Sequence, residues 1–549
     1  MKMNFATKYT LFAAALVTVV GFNACKKSKS AEPLPIIDPV YTEINTKQTP
    51  TINRAELTND SIFLYAKEIY YWNTSLPTYD AYEPRKYGAG EANYELNLYN
   101  LVKASKSADY VSAATPPNNK YSYIFNTDDA NPNPTANIPN ASASVDLEGN
   151  GNDMGIYNLS ALRVGTTNVY KLYILATAEN SPSFNAGLTR GAYITSINGT
   201  PIGNIVSDKI AAAEVNLINS TIFSDPATLR LTGFKADGSA FNVTIIKASY
   251  KSSPILKKSV LTAGAKKIGY LAYARFSNKE NSEQVLTDAF NEFATKNVTD
   301  LIIDLRYNGG GYVSTAEHLI NLIAPSSSSG VMYTEHFNNN LKNRKRTDPS
   351  ILSNQPLLDD KGKLQYENGK MVTYADIDYS VAGNTNNFSK KGNLTGISNV
   401  VFIVSGNTAS ASELVINSLK PHVNVKLVGT KTYGKPIGFF PVTIEKKYEV
   451  YLSLFETKNS LGQGEYYSGF VPDVDGGTDY GDFDFGNPQE SYLLKAIQVL
   501  VPNATPFNVI SATKGVSANV AKSSQLNLLG EIGNKEEFKG MIENRHKTK

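Results

Sequence analysis

Three short apolar runs constrain this chain most: Leu301-Ile302-Ile303-Asp304-Leu305, Val400-Val401-Phe402-Ile403-Val404, and Val423 to Gly429. The first two show no polar alternation, the mark of strands covered on both faces. Helical periodicity follows each, over Ser314–Ile323 and Ser412–Leu419. Ahead of them stand a strand at Lys267–Tyr273 and a helix at Ser282–Thr295. Strand alternating with helix predicts an α/β layer between about 251 and 498. The polar, Lys/Asn-rich run Ser326–Asn393 is expected to leave that sheet as an excursion.

At 549 residues the chain exceeds one hydrophobic core. Helical spacing of Ile62, Leu64, Tyr65, Ile69 and Tyr70, then of Leu96, Leu98, Leu101 and Val102, marks a helical unit over 51–127. A breaker-rich linker, 128–145, contains Asn-Pro-Asn-Pro. Short strands follow over 146–250, among them Tyr193–Ile197 running into Asn198-Gly199, a hairpin signal. With Ser181-Pro182 and Ala186-Gly187-Leu188, this segment resembles a PDZ domain, although Ala192 replaces the usual Asp. The resemblance implies peptide binding by strand addition, with Gly155 and Ile156 in the loop that captures a terminal carboxylate. Two uses stay open, binding of a substrate tail or service as a lid. Residues 499–549 are polar and weakly patterned, a C-terminal tail with no assigned role.

The start of the chain reads as an export signal. Lys2 and Lys8 precede an apolar run from Tyr9 to Phe22, too short and wrongly flanked for a transmembrane helix. Phe22-Asn23-Ala24-Cys25 resembles a bacterial lipobox, with Phe22 where Leu is usual. That resemblance implies lipidation at Cys25, the sole cysteine, and the polar, Pro-containing run over 26–50 reads as a flexible tether. A plain signal peptide is the other reading. The expected location is a bacterial cell-envelope membrane, facing the periplasm.

Bulk composition excludes some classes. A net charge of +3 without a basic stripe gives nucleic acid no footprint. His318, His336, His422 and His546 are scattered, with no HExxH spacing and no CxxC in the chain, so neither zinc nor any other cofactor is expected. They also leave a Ser-His-Asp triad few bases to draw on.

Chemistry concentrates at three strand ends. Ser410 follows the 400–404 run where a strand turns into a helix, a place where unpaired N–H groups favour developing negative charge. Taken alone such a serine reads as a helix cap, and Ser412 is the better cap candidate. Lys435 follows Gly434 beyond the 423–429 strand. A lysine held dry there loses its preference for the ammonium form and can accept a proton. Asn308-Gly309-Gly310-Gly311 ends the 301–305 strand, where bare backbone N–H groups can line an oxyanion hole. A phosphate loop would need a Gly-Lys-Ser/Thr ending that is absent.

Together, Asp304-Leu305-Arg306 with Asn308, Gly310 and Gly311, then Ser410-Ala411-Ser412-Glu413, then Tyr433-Gly434-Lys435, resemble the C-terminal processing (tail-specific) protease family, peptidase family S41. The resemblance spans roughly 146–490. It implies a multidomain α/β protein: an N-terminal helical unit, a PDZ-like β-rich domain, and a crotonase/ClpP-like peptidase core. It further implies Ser410 as nucleophile, Lys435, 25 residues later, as general base, and the N–H groups of Gly310 and Ala411 as oxyanion donors. Phe439 stands where many members have Gln, Pro421 where some have Asp, and Gly309 where Pro is usual. Glu413 is then the remaining candidate partner of Lys435, or a structural residue. Protein or peptide substrates, engaged through their C-termini, are the implied partners. Rival readings are a catalytically degenerate PDZ lipoprotein that binds without cleaving, and acyl-thioester chemistry, which export disfavours.

Overall fold

The computed structural model describes residues 48–111, 119–128, 145–359, 362–511, 526–533 and 539–549. The leader, Cys25, most of the tether and nearly all of the 128–145 linker lie outside the described residues. Among the described residues no helix is long and apolar enough to cross a membrane.

Asn53 starts helix α1 (Arg54–Ile69) by accepting the Ala55 N–H at 2.9 Å. α1 packs on α2 (Glu91–Ser105), burying Ile62, Ile69, Leu98 and Leu101. The N-terminal unit then contributes β1 (Tyr123–Asn126) to a small sheet of the core.

The second unit is an antiparallel sheet of β2 (Ile156–Val164), β3 (Tyr170–Thr177), β4 (Tyr193–Ile197), β5 (Thr228–Phe234) and β6 (Ala240–Ile246), with helix α3 (Ala212–Thr221) inserted before β5. The Asn-Gly signal is met: Asn198 and Gly199 both take positive φ, 50° and 84°, and turn the chain so that Ile197 pairs with Thr200.

The α/β layer runs through β7 (Ile255–Ala263), β8 (Lys266–Tyr273), α4 (Lys279–Thr295), β9 (Asp300–Asp304), β10 (Gly310–Tyr312), α5 (Val313–Ile323), β11 (Asn399–Val404), α6 (Ala411–Leu419) and β12 (Asn424–Gly429). Next come β13 (Pro441–Ile444) and β14 (Tyr448–Tyr451), which pairs with β1, then β15 (Val474–Asp475) and α7 (Ser491–Leu500). The main sheet has the order β15-β12-β11-β9-β8-β7, parallel from β15 to β8 and antiparallel at β7. Strand alternation sorts its two faces. Leu301, Ile303 and Phe402 meet α4, α5 and α6, while Ile302, Val401 and Ile403 meet Leu493 and Ile497 of α7. Parallel strands end together, so the loops after β9, β11 and β12, which carry Gly310, Ser410 and Lys435, leave the same sheet edge.

Two stretches carry more structure than the sequence suggests. The 326–393 run leaves the main sheet, and within it Val331–Phe337 forms a strand of a separate sheet, paired with Phe455–Asn459, with Tyr333 and Phe337 as core residues. The C-terminal tail has a structure as well. β16 (Val509–Ser511) extends the main sheet beside β7, β17 (Leu526–Ile532) adds to the edge of β2, and β18 (Gly540–Ile542) pairs in parallel with β10. None of these strands carries an apolar run long enough to announce itself.

Candidate active site

Ser410 sits between β11 and α6 with φ 56° and ψ −108°, a backbone region costly for any residue with a Cβ. It occupies the cap position of α6, one turn-start earlier than the Ser412 expected there. Ser412 lies inside the helix and donates its hydroxyl to the Asn308 carbonyl at 3.0 Å, tying α6 to the glycine turn. Ser410 is fully buried, and its Oγ meets no hydrogen-bond partner among the described residues. The Ala411 N–H stands at the first position of α6, where helix geometry gives it no intrahelical acceptor.

Glu413 lies one turn into α6 and is also fully buried. Its Oε2 accepts the N–H of Ser410 at 2.9 Å and that of Lys435 at 2.8 Å. Its Oε1 accepts Gly434 N–H at 2.8 Å and Thr432 Oγ1–H at 2.6 Å. One carboxylate thus holds the serine turn and the lysine loop together through their main chains. Burial pushes its pKa up, against the pull of these four donors.

Lys435 is fully buried. Its Nζ donates to the Lys539 carbonyl at 2.9 Å and lies 4.4 Å from the ring centre of Phe439 and 5.6 Å from that of Tyr121. Burial lowers its pKa from 10.5 to about 7; Asp109 and Glu413 pull it up, while Lys120 and Lys539 push it down. Phe439, at the position where the resemblance places Gln, therefore offers a dry wall. Pro421 stands just past the end of α6, where the helix stops.

Gly310 takes φ 114°, and a Cβ there would fall 2.2 Å from the Gly540 carbonyl and 3.1 Å from Ala411 N. Only glycine fits this approach of three main chains. Its N–H donates to Asn308 Oδ1 at 2.9 Å, so in this state that donor is engaged. In the antiparallel sheet of the second unit, Gly155 and Ile156 stand where β2 begins. Gly155 N–H donates to Asp153 Oδ1 at 2.7 Å, and the outer edge of β2 is filled by β17.

Sequence reasoning missed several residues of the site. Tyr121 donates its hydroxyl to the Gly434 carbonyl at 2.6 Å, and Asp109 holds Tyr121 by accepting its N–H at 2.7 Å. Both come from the N-terminal unit, which carries no motif. A buried ionic cluster lies behind the glycine turn. Arg306 bonds Asp304 Oδ2 at 2.8 Å and Glu490 Oε1 at 2.9 Å, and Arg190 of the second unit reaches Asp479 and Tyr307. The Asp-Leu-Arg motif named two of these; Asp479, Glu490 and Arg190 had no signal. The histidines lie elsewhere, His318 on Thr287, His336 on Thr334, His422 on Ser460, and His546 against Tyr374 and Phe440. No group of His, Cys, Asp and Glu among the described residues could hold a metal ion.

A buried serine at a strained strand-to-helix turn and a desolvated lysine, both tied by their main chains to Glu413, thus lie beside a glycine turn at one edge of an α/β layer. Residues 267–475 match the model of peptidase family S41, and the chain carries a domain of that family. It is 24% identical over 278 residues to the chloroplastic C-terminal processing peptidase of Tetradesmus obliquus, covering 48% of this chain and 47% of that one. It is 22% identical over 309 residues to the carboxy-terminal processing protease CtpB of Bacillus subtilis strain 168, covering 55% and 52%. The chain thus spans about half the length of the curated relatives it matches. A solved structure from Bacteroides fragilis NCTC 9343, described as a candidate S41 protease, shares the fold with a TM-score of 0.55 at 20% identity, over 83% of this chain and all of that one.

Proposed function

We propose that the chain is a serine endopeptidase that hydrolyses peptide bonds in protein substrates with Ser410 as nucleophile and Lys435 as general base. The observation that carries this reading is the shared Glu413 oxygen, which takes the N–H groups of Ser410 and Lys435 at 2.9 and 2.8 Å while the lysine's burial holds its pKa at about 7. A neutral Nζ accepts the Ser410 proton as Oγ attacks the substrate carbonyl. The Ala411 N–H, and the Gly310 N–H once it turns from Asn308, stabilise the oxyanion. The protonated lysine then delivers its proton to the leaving amine. Water, deprotonated by Lys435, hydrolyses the acyl-enzyme and restores Ser410.

The PDZ-like unit engages the substrate by strand addition at β2, with Gly155 and Ile156 beside its C-terminus. Export and lipidation at Cys25 place the enzyme on the cell envelope. The second reading, a PDZ lipoprotein that binds without cleaving, draws support from Ser410 Oγ, which is not bonded to Lys435 in this state. Full-length protein and its Ser410→Ala twin, incubated with an unfolded protein, separate the two. Fragments from the parent alone support the peptidase, and peptide binding by both with fragments from neither sinks it.

A further inference from the structure

The C-terminal segment lies on both surfaces that a substrate would use. β17 runs antiparallel to β2, from Leu526 opposite Val164 to Ile532 opposite Leu159, and packs beside α3. A PDZ ligand adds to a sheet in this way, between a strand edge and a helix. Ile532 is buried in the core of that unit, and Leu526 packs on Leu162 and Tyr173. The chain then reaches Lys539 beside a cavity of about 220 Å³ lined by Tyr157, Leu175, Tyr307, Asn407 and Glu531.

Lys539–Ile542 next passes through the cleft. Gly540 N–H donates to the Gly309 carbonyl at 3.0 Å, and β18 pairs with β10, Gly540 opposite Gly310. On its other side Phe439 N–H donates to the Met541 carbonyl at 3.0 Å. The segment is therefore an added strand between the glycine turn and the lysine loop, the place of a bound peptide. It is bound unproductively. The Lys539 carbonyl takes the Lys435 Nζ donor, Gly310 N–H remains on Asn308, and Ser410 Oγ has no partner among the described residues. Ser410 Oγ is thus not hydrogen-bonded to Lys435 Nζ in this arrangement.

Beyond the cleft the segment is fastened again. Arg545 pairs with Glu317 at 2.6 Å, His546 lies against the rings of Tyr374 and Phe440, and Arg346 donates to the Lys549 carbonyl at 3.0 Å.

We propose that the C-terminal segment is a tethered pseudosubstrate: Leu526–Ile532 fills the peptide-binding edge of β2 and Lys539–Ile542 fills the catalytic cleft, holding the enzyme latent until an extended peptide of a substrate displaces it. This rests on the peptidase reading above. Release multiplies turnover by the inverse of the fraction already open.

The test uses the full chain, its Met541→Asp and Ile532→Asp variants, and Ser410→Ala twins of each, given unfolded casein. Hydrogen exchange reports whether the C-terminal segment has come free. Met541 is fully buried beside β10 and Ile532 is buried in the PDZ-like unit, so an ionised side chain at either opposes docking. Should Met541→Asp fail to fold, Ile532→Asp, outside the catalytic layer, carries the same comparison. The expected result is a rise in turnover of about tenfold or more, lost in the Ser410→Ala twin. A synthetic peptide of the Lys539–Lys549 sequence, added to the released variant, should raise KM and leave kcat unchanged. Equal, Ser410-dependent turnover in parent and released variants overturns latency and leaves the peptidase standing. No turnover from any released protein overturns the peptidase reading, and latency with it.

Discussion

Replacing Glu413 by Gln tests whether one buried carboxylate assembles the site. The two side chains have the same shape, so no cavity opens. The amide changes one acceptor oxygen into an NH2 group. If that group takes the Oε2 position it faces the N–H donors of Ser410 and Lys435; at Oε1 it faces Gly434 N–H and Thr432 Oγ1–H. Either way two of four hydrogen bonds are lost, although Thr432 can turn its hydroxyl to accept instead. A buried donor left without a partner costs about 1–3 kcal/mol, so two give a loss of about 2–6 kcal/mol. Relief of the charge burial that raises the pKa of Glu413 returns part of this, and about 2–4 kcal/mol is the expected loss. Urea unfolding followed by circular dichroism measures it as a lowered midpoint at constant slope. Because either pair of lost bonds belongs to the clasp between the serine turn and the lysine loop, kcat should fall about 100-fold or more while KM changes little. An unchanged midpoint with full kcat would refute the clasp, and a lowered midpoint with full kcat would reduce Glu413 to a fold residue.

Lys435→Met should abolish turnover and stabilise the protein. The folded lysine binds its proton with a pKa of about 7 and the unfolded one with about 10.5, so between these values the unfolded chain holds more protons. Stability of the parent therefore rises as pH climbs from about 7 to 10.5, and the Met variant should lose that slope, with its melting temperature above the parent's at pH 7. Arg190→Met removes a buried cation from Asp479 and Glu490. Leaving those carboxylates short of a partner should cost about 3–5 kcal/mol, read as a lowered melting temperature, whereas a loss within about 0.5 kcal/mol would show that Arg306 alone neutralises them.

The parts of the fold legible in the sequence are those whose signal is local. The middles of β9 and β11, Leu301–Ile303 and Val400–Val404, are apolar on both faces, and the Asn198-Gly199 turn needs its positive φ values whatever surrounds it. Gly310, Ser410 and Lys435 could be expected at one sheet edge because each follows a strand, and parallel strands end together. Tyr121, Asp109, Asp479 and Arg190 owe their places to tertiary packing between units and leave no periodic trace. The tail was illegible for a related reason. β18 is three residues long and earns its place through the main chain, by hydrogen bonds to Gly309 and Phe439 that any residue can make. Main-chain pairing of this kind depends on the shape of the partner edge and has no residue code.

The burial that suits Lys435 to act as a base has a consequence for how activity should depend on pH. Its cover comes from the Tyr121 ring, the Phe439 ring and the Lys539 carbonyl, and the last leaves with the tail. In a released variant without substrate, water reaches Nζ, the opposing charge of Lys539 departs, and Asp109 and Glu413 still favour the ammonium. The pKa should then climb from about 7 back toward 10.5. A bound substrate strand restores the cover and lowers it again. The pH profile of kcat/KM reports the free enzyme and that of kcat the complex. In Met541→Asp both should rise with pH as the lysine loses its proton, kcat through a midpoint near 7 and kcat/KM through one at least about one unit higher. Coincident midpoints near 7 would mean that Tyr121 and Phe439 keep the lysine dry unaided. Coincident midpoints near 10 would mean that a bound peptide does not seal the site, and the base would need another source of its low pKa.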